Sequence, residues 1–331
     1  MRTTIAAVAL AAAVVLPDVR PAAAQGFEVV ALGALGGIQD GNLSAWLIHP
    51  AGDPRAVTCE AGTLVNGLKV ADEKGALAGI AVPADSAFSR VGYVLTSVIK
   101  GYLISHAHLD HVAGLIVASP DDGKKPIYAL PSVANDLVDT YFNWRAWPNM
   151  TDRGKAPQLK KYAVQDLAPN TATPLADTAM TVTAYPLSHG GVESTAFLIE
   201  SAGHSVLCFG DTGPDTVEKG SRLADVWSAV AERVRQKKLK AILIETSYTS
   251  DRPDTLLFGH LTPRWLLGEL RALDTKAGGK ALQGLPVIVS HIKYALGREQ
   301  PQKQMLQELE AGNDLGVRFV VPEQGMRWSF K

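Results

Sequence analysis

The stretch Ser105–Pro120, SHAHLDHVAGLIVASP, places His106, His108, Asp110 and His111 within six residues and then turns almost wholly apolar. In extended backbone, side chains two apart project to the same side, so His106 and His108 can share one metal ion. If the chain turns into a helix at Asp110, Asp110 and His111 swing round and can serve a second. A lone histidine is usually an ordinary surface or core side chain. Four ligand-type residues this close favour metal, because zinc is held by imidazole nitrogen and carboxylate oxygen at such spacings.

Two metals need further ligands, and three other segments offer them. LSHGG carries His189, CFGDTG carries Asp211 and IVSHIKY carries His291. Each repeats one arrangement, an apolar run followed at once by a ligand, as expected where loops on a rigid scaffold build a site.

Around these corners, β-rich runs alternate with helical patterns. FEVVALGAL, LSAWLIHP, RAVTCEAG, GYLISHAH and KPIYALP read as strands, followed by TVTAYPLSH, STAFLIES, HSVLCFGD, KAILIETS, LPVIVSH and VRFVVPE. An apolar stripe of Val226, Trp227, Val230 and Val234 predicts a helix over 224–238. Thr262-Pro263 reads as the capped start of another, and a third covers 301–310. No Pro/Gly/Ser linker, low-complexity tract or repeat divides the chain. The pattern predicts one α/β (α+β) domain over 25–331, two β-rich halves packed together with helices outside.

The 331 residues carry a formal charge of −1, which lacks the Lys/Arg excess of a nonspecific nucleic-acid binder. Residues 1–24 have an Arg beside the amino terminus, an apolar run from Ile5 to Leu16 and small residues Ala22-Ala23-Ala24. They read as a secretory signal peptide, since a membrane span needs roughly 20 apolar residues. No later segment looks transmembrane, so the mature chain is expected in the periplasm or outside the cell. Cys59 and Cys208 are the only cysteines. Each sits in an apolar, strand-like run, and they read as two buried free thiols.

HxHxDH with separate His, Asp and His at strand ends resembles the metallo-β-lactamase superfamily, which implies an αββα sandwich of two packed mixed β-sheets with outer helices. The longer HAHLDHVAGLIVASP is similar to the signature of the class II 3′,5′-cyclic-nucleotide phosphodiesterases. The likeness continues through GNLSAWL, CEAGT, KGYLISHAH, YFNWRAWPNM, GDTGPD, ETSY, FGHLTP and SHIKY. One departure is CEAGT, where relatives usually carry Asp before Ala-Gly. Glu60 keeps the carboxylate, which points to altered packing behind the metal ligands.

The resemblance implies two Zn2+ ions per chain, or other divalent metals. His106, His108 and His189 would bind one, Asp110, His111 and His291 the other, with Asp211 bridging. Such a pair would acidify a water and clamp the entering and leaving oxygens of an in-line displacement at phosphorus. Glu245 of ETSY and His260 of FGHLTP resemble the pair that protonates the leaving group, and a carboxylate beside His260 is expected to raise its pKa. Catalysis is thus expected of Asp110, Glu245 and His260, on cAMP or cGMP as small-molecule substrate. No nucleic-acid or membrane partner is expected; a homodimer remains open.

YFNWRAWPNM, Tyr141–Met150, offers aromatic faces on which a purine could stack, though a helix end packed on the sheet explains it equally well. His49 beside Pro50 and His204 in a Gly-containing turn need no metal. Competing readings are a tRNA 3′-processing-type endonuclease, a β-lactam or ester hydrolase, and a noncatalytic zinc-binding module. The absence of basic excess, the tail of the first motif and the full ligand set weigh against them in turn.

Overall fold

The computed structural model describes residues 26–331. The leader expected over residues 1–24 lies outside the described residues. Two seven-stranded mixed sheets face one another. The first runs in the order Arg327–Phe330, Phe27–Gly33, Ala45–Pro50, Ala56–Cys59, Ile99–Leu103, Lys125–Ala129 and Tyr162–Asp166. Its pairings are antiparallel up to Ala56–Cys59 and parallel beyond. The second runs Arg318–Val320, Pro286–Ser290, Leu239–Glu245, His204–Phe209, Val192–Ser201, Thr181–His189 and Ala172–Pro174. Here the first four strands are parallel and the rest antiparallel.

Strand alternation divides the core into two layers. Val206, Cys208, Ala241, Leu243 and Ile288 face the first sheet and join its core. Their neighbours Leu207, Phe209, Ile242, Ile244, Val287 and Val289 face outward, beneath the helices Arg222–Arg235, Pro263–Lys276 and Gln302–Ala311. Both faces of these strands are covered, which is why they read as continuous apolar runs. The helix expected over 224–238 starts two residues earlier and ends three earlier. That expected at Thr262-Pro263 begins at Pro263 after Thr262, whose side chain makes no capping hydrogen bond. The architecture is the metallo-β-lactamase-type sandwich.

The reading of two free thiols is corrected: Cys59 and Cys208 form a disulfide, Cα atoms 6.7 Å apart. Each does lie in a strand, but alternation points both inward from opposite sheets, so their side chains meet across the core. Among the described residues no helix is long and apolar enough to cross a membrane.

Candidate metal centre

The quoted stretch forms the strand–turn–helix corner that its spacing predicts. Strand Ile99–Leu103 ends just before Ser105 and His106, and a helix runs Leu109–Ala118. His108 stands before the helix with extended φ and ψ of −65° and 146°, and Asp110 lies in the first turn. Gly114 permits the close seat of this helix. A Cβ there would come 2.6 Å from Leu64 N and 2.8 Å from Ala61 O. The helix instead donates from Gly114 N to Gly62 O and from Leu115 N to Ala61 O, both at 3.0 Å. That contact brings the turn after strand Ala56–Cys59 against His111, whose Nδ1 lies 3.3 Å from Glu60 Oε2.

The other residues arrive from the second sheet. His189 ends strand Thr181–His189, Asp211 follows His204–Phe209, Glu245 ends Leu239–Glu245 and His291 follows Pro286–Ser290. All seven sequence-predicted ligands converge. His106, His108 and His189 can share one ion; so can Asp110, His111 and His291, and so can Asp211 with His106 and His111. Asp211 Oδ2 lies 3.3 Å from the Nε2 atoms of His111 and His291, 3.8 Å from that of His106 and 3.7 Å from that of His189. Asp110 Oδ2 lies 3.2 Å from His291 Nε2 and accepts from Gly37 N at 2.8 Å.

These residues fit a cation. His106 Nε2, His111 Nε2 and Asp211 Oδ1 are buried without hydrogen-bond partners, and both Nε2 atoms lie within 3.8 Å of the other Asp211 oxygen, Oδ2. Buried polar atoms left this way are costly unless something they can ligate sits between them. The far nitrogens are held: Ser105 Oγ lies 2.9 Å from His106 Nδ1, and His189 Nδ1 lies 2.8 Å from Gly259 O. Such partners orient ligating imidazoles and select the tautomer.

The electrostatics agree. Burial lowers His106, His108, His189 and His291, keeping them in the neutral form a metal needs. Burial would also lower His111, but Asp211, Glu60 and Asp110 outweigh it and raise it well above the ordinary imidazole range. Burial opposes ionisation of Asp211 and Asp110, yet nearby imidazoles hold both below the usual carboxylate range.

Glu245 and His260 adjoin the cluster, Oε1 to Nδ1 at 2.9 Å, with Thr212 N also donating to Oε1 at 3.1 Å. The expected rise in the His260 pKa is corrected. Burial pushes His260 down to about 4, while burial and Asp211 push Glu245 up to about 7. For His260, removal from water, with Lys293 and His111 acting in the same direction, outweighs the Asp211 and Asp110 carboxylates.

Tyr141–Met150 is largely committed to the fold. Phe142 is fully buried, Tyr141 OH donates to Ala107 O, Trp147 Nε1 to Ser119 Oγ and Trp144 Nε1 to Pro157 O. His49 Nδ1 lies 3.0 Å from Pro50 O, and neither His49 nor His204 joins a ligand group. Sequence reasoning missed Ser105, Thr212 and Ser247, short polar residues one or two positions from a ligand or the acid pair. That adjacency is the only signal that could have found them.

Residues 29–325 match the profile of the cAMP phosphodiesterases class-II. The chain is 52% identical over 301 residues to a 3′,5′-cyclic-nucleotide phosphodiesterase of Aliivibrio fischeri, covering 90% of this chain and 91% of that protein. It is 46% identical to a probable 3′,5′-cyclic-nucleotide phosphodiesterase of Yersinia pestis, covering 92% and 90%. The crystal structure of unliganded yeast PDE1 superposes with a TM-score of 0.82 at 26% identity, over 92% of this chain and 99% of that one. The metallo-β-lactamase fold protein YhfI from Bacillus subtilis shares the fold, with a TM-score of 0.59 at 16% identity over 92% of this chain and 98% of that one. Motif, sandwich and convergent ligands thus agree with these likenesses, and the chain belongs to the class-II cAMP phosphodiesterase family.

Proposed function

We propose that this chain hydrolyses 3′,5′-cyclic nucleotides, cAMP or cGMP, to nucleoside 5′-monophosphates with two Zn2+ ions. His106, His108 and His189 would hold one ion, Asp110, His111 and His291 the other, and Asp211 would bridge. The observation that carries this reading is the buried Glu245–His260 contact beside the ligand cluster, in a chain of this family. When bound, the cations supply positive charge against the anionic phosphodiester and acidify water.

The protein's own residues do the rest. Asp110 and Asp211 stay ionised, His106, His108, His189 and His291 stay neutral, and His111, raised by the carboxylates around it, would give up its proton as a cation binds. Glu245 holds His260 through Nδ1, which leaves Nε2 to face the substrate. As water oxygen bonds to phosphorus and the P–O3′ bond breaks, the water's proton is released to solvent, and the departing O3′ takes the Nε2 proton of His260, which is replaced through Nδ1 by the proton of the Glu245 carboxyl. With Glu245 raised to about 7 and His260 lowered to about 4, the buried pair retains a proton into the neutral range and gives it up readily through the imidazole.

Residues 25–331 act as one domain in this reading, supported by a core that takes side chains from both sheets. The site of action is the periplasm or the cell exterior, supported by the leader-like residues 1–24 and by the Cys59–Cys208 bridge, since disulfides persist in oxidising compartments. The test is purified protein of measured metal content assayed with cAMP, cGMP, a tRNA precursor and a β-lactam, with and without chelator. Chelator-sensitive turnover of a cyclic nucleotide is expected; cleavage of the β-lactam alone would overturn the reading.

A further inference from the structure

Ser247 lies two residues beyond Glu245 and is 1% exposed. Its backbone is pinned on both sides: Ser247 N donates to Leu261 O at 3.0 Å, beside His260, and Lys293 N donates to Ser247 O at 3.1 Å, two residues past His291. The hydroxyl therefore has little freedom. Its Oγ stands 2.9 Å from Glu245 Oε2, 3.0 Å from His291 Nδ1 and 3.1 Å from His260 Nδ1.

The hydrogen-bond inventory assigns the protons. A serine hydroxyl has one proton to give and can accept two. His291 turns Nε2 toward Asp110 Oδ2 and Asp211 Oδ2, at 3.2 and 3.3 Å, where a cation would sit. Nε2 must then be bare, so Nδ1 carries the hydrogen and donates it to Ser247 Oγ. The hydroxyl in turn donates to Glu245 Oε2 at 2.9 Å, the shorter of its two acceptor contacts beside the His291 carbonyl oxygen at 3.2 Å, while His260 meets the other oxygen, Oε1. Both oxygens of Glu245 are thereby fixed, Oε2 by Ser247 and Oε1 by His260 and Thr212 N.

We propose that Ser247 is a positioning residue joining the two halves of the site. Its one hydroxyl sets the metal-binding tautomer of His291 and holds Glu245 in the orientation that engages His260. Loss of the hydroxyl leaves a buried imidazole N–H unpaired and one carboxylate oxygen free to turn.

The experiment compares wild type, Ser247→Ala and Ser247→Thr. Zinc retained against a graded chelator series is measured first, then turnover of cAMP and of bis(4-nitrophenyl) phosphate, whose nitrophenolate leaves without a proton. Ser247→Ala is expected to weaken zinc retention by about 10- to 100-fold and to slow cAMP turnover more than nitrophenyl ester turnover. Ser247→Thr, which keeps the hydroxyl, is expected to restore both. Wild-type zinc retention in Ser247→Ala, or equal losses on both substrates, overturns the proposal. If Ser247→Ala does not fold, weakened zinc retention in folded Ser247→Thr overturns it, and retention like wild type supports it. The second measurement rests on the phosphodiesterase reading. Failure of wild type to turn over any cyclic nucleotide sinks that reading while the zinc comparison still decides the role of Ser247.

Discussion

Asp211 Oδ2 lies 3.3 Å from His291 Nε2, and the same oxygen lies equally close to His111 Nε2 on the helix that follows the first sheet's strand Ile99–Leu103. One carboxylate thus faces ligands delivered by both halves of the sandwich. Asp211→Ala is expected to keep the fold and lose the paired ions, with activity down by at least about 100-fold. Metal analysis that still finds two ions per chain would contradict the bridging role.

His260 adjoins the cluster directly, its Nδ1 3.7 Å from Asp211 Oδ2 as well as 2.9 Å from Glu245 Oε1; it could share an ion with His189 and Asp211, but it belongs to neither proposed ligand set. His260→Ala is expected to cut cAMP turnover by about 100-fold or more while costing a nitrophenyl phosphodiester less than about tenfold, because only the sugar alkoxide needs a proton to leave. Equal losses on the two substrates would count against leaving-group protonation.

Gly114 allows the first-motif helix to seat on the Ala61–Leu64 backbone. Gly114→Ala is expected to destabilise the protein by about 1–3 kcal/mol and to lower metal content, since the shift moves His111 relative to Glu60. Thermal unfolding and metal analysis check this together; unchanged values in both would show that the contact has slack.

Trp227 Nε1 donates to Glu269 Oε2 at 2.7 Å, tying two outer helices. Burial raises the Glu269 carboxyl above its ordinary 4.5. As pH rises, the unfolded chain loses this proton first, so the contribution to stability is full below about 4.5 and lost on passing through the folded value. Each pH unit in that window is worth at most about 1.4 kcal/mol. Denaturant unfolding at a series of pH values should show this fall in wild type and not in Glu269→Gln; identical profiles would refute it.

The candidate site was legible because its seven candidate ligands obey short-range rules. His106 to His111 encode a strand turning into a helix, and the others each end or follow an apolar strand. What was not legible depends on which elements face each other. The Cys59–Cys208 pairing is a contact between opposite sheets with no local trace. The depressed pKa of His260 reflects how deeply the pair is enclosed, which residue type does not reveal. The roles of Ser105, Thr212 and Ser247 require knowing which nitrogen or oxygen each short side chain reaches. The aromatic run at Tyr141–Met150 shows the converse: its composition suggests a stacking surface, while Phe142 is consumed by the core.

The covalent bond between Cys59 and Cys208 joins the sheets one residue before Glu60 and three before Asp211. Since the histidine and carboxylate donors come from both sheets, any sliding of one layer over the other would pull the donor set apart. The bridge pins the layers at the floor of that set, so the geometry at the rim is held by a rivet and not by side-chain packing alone.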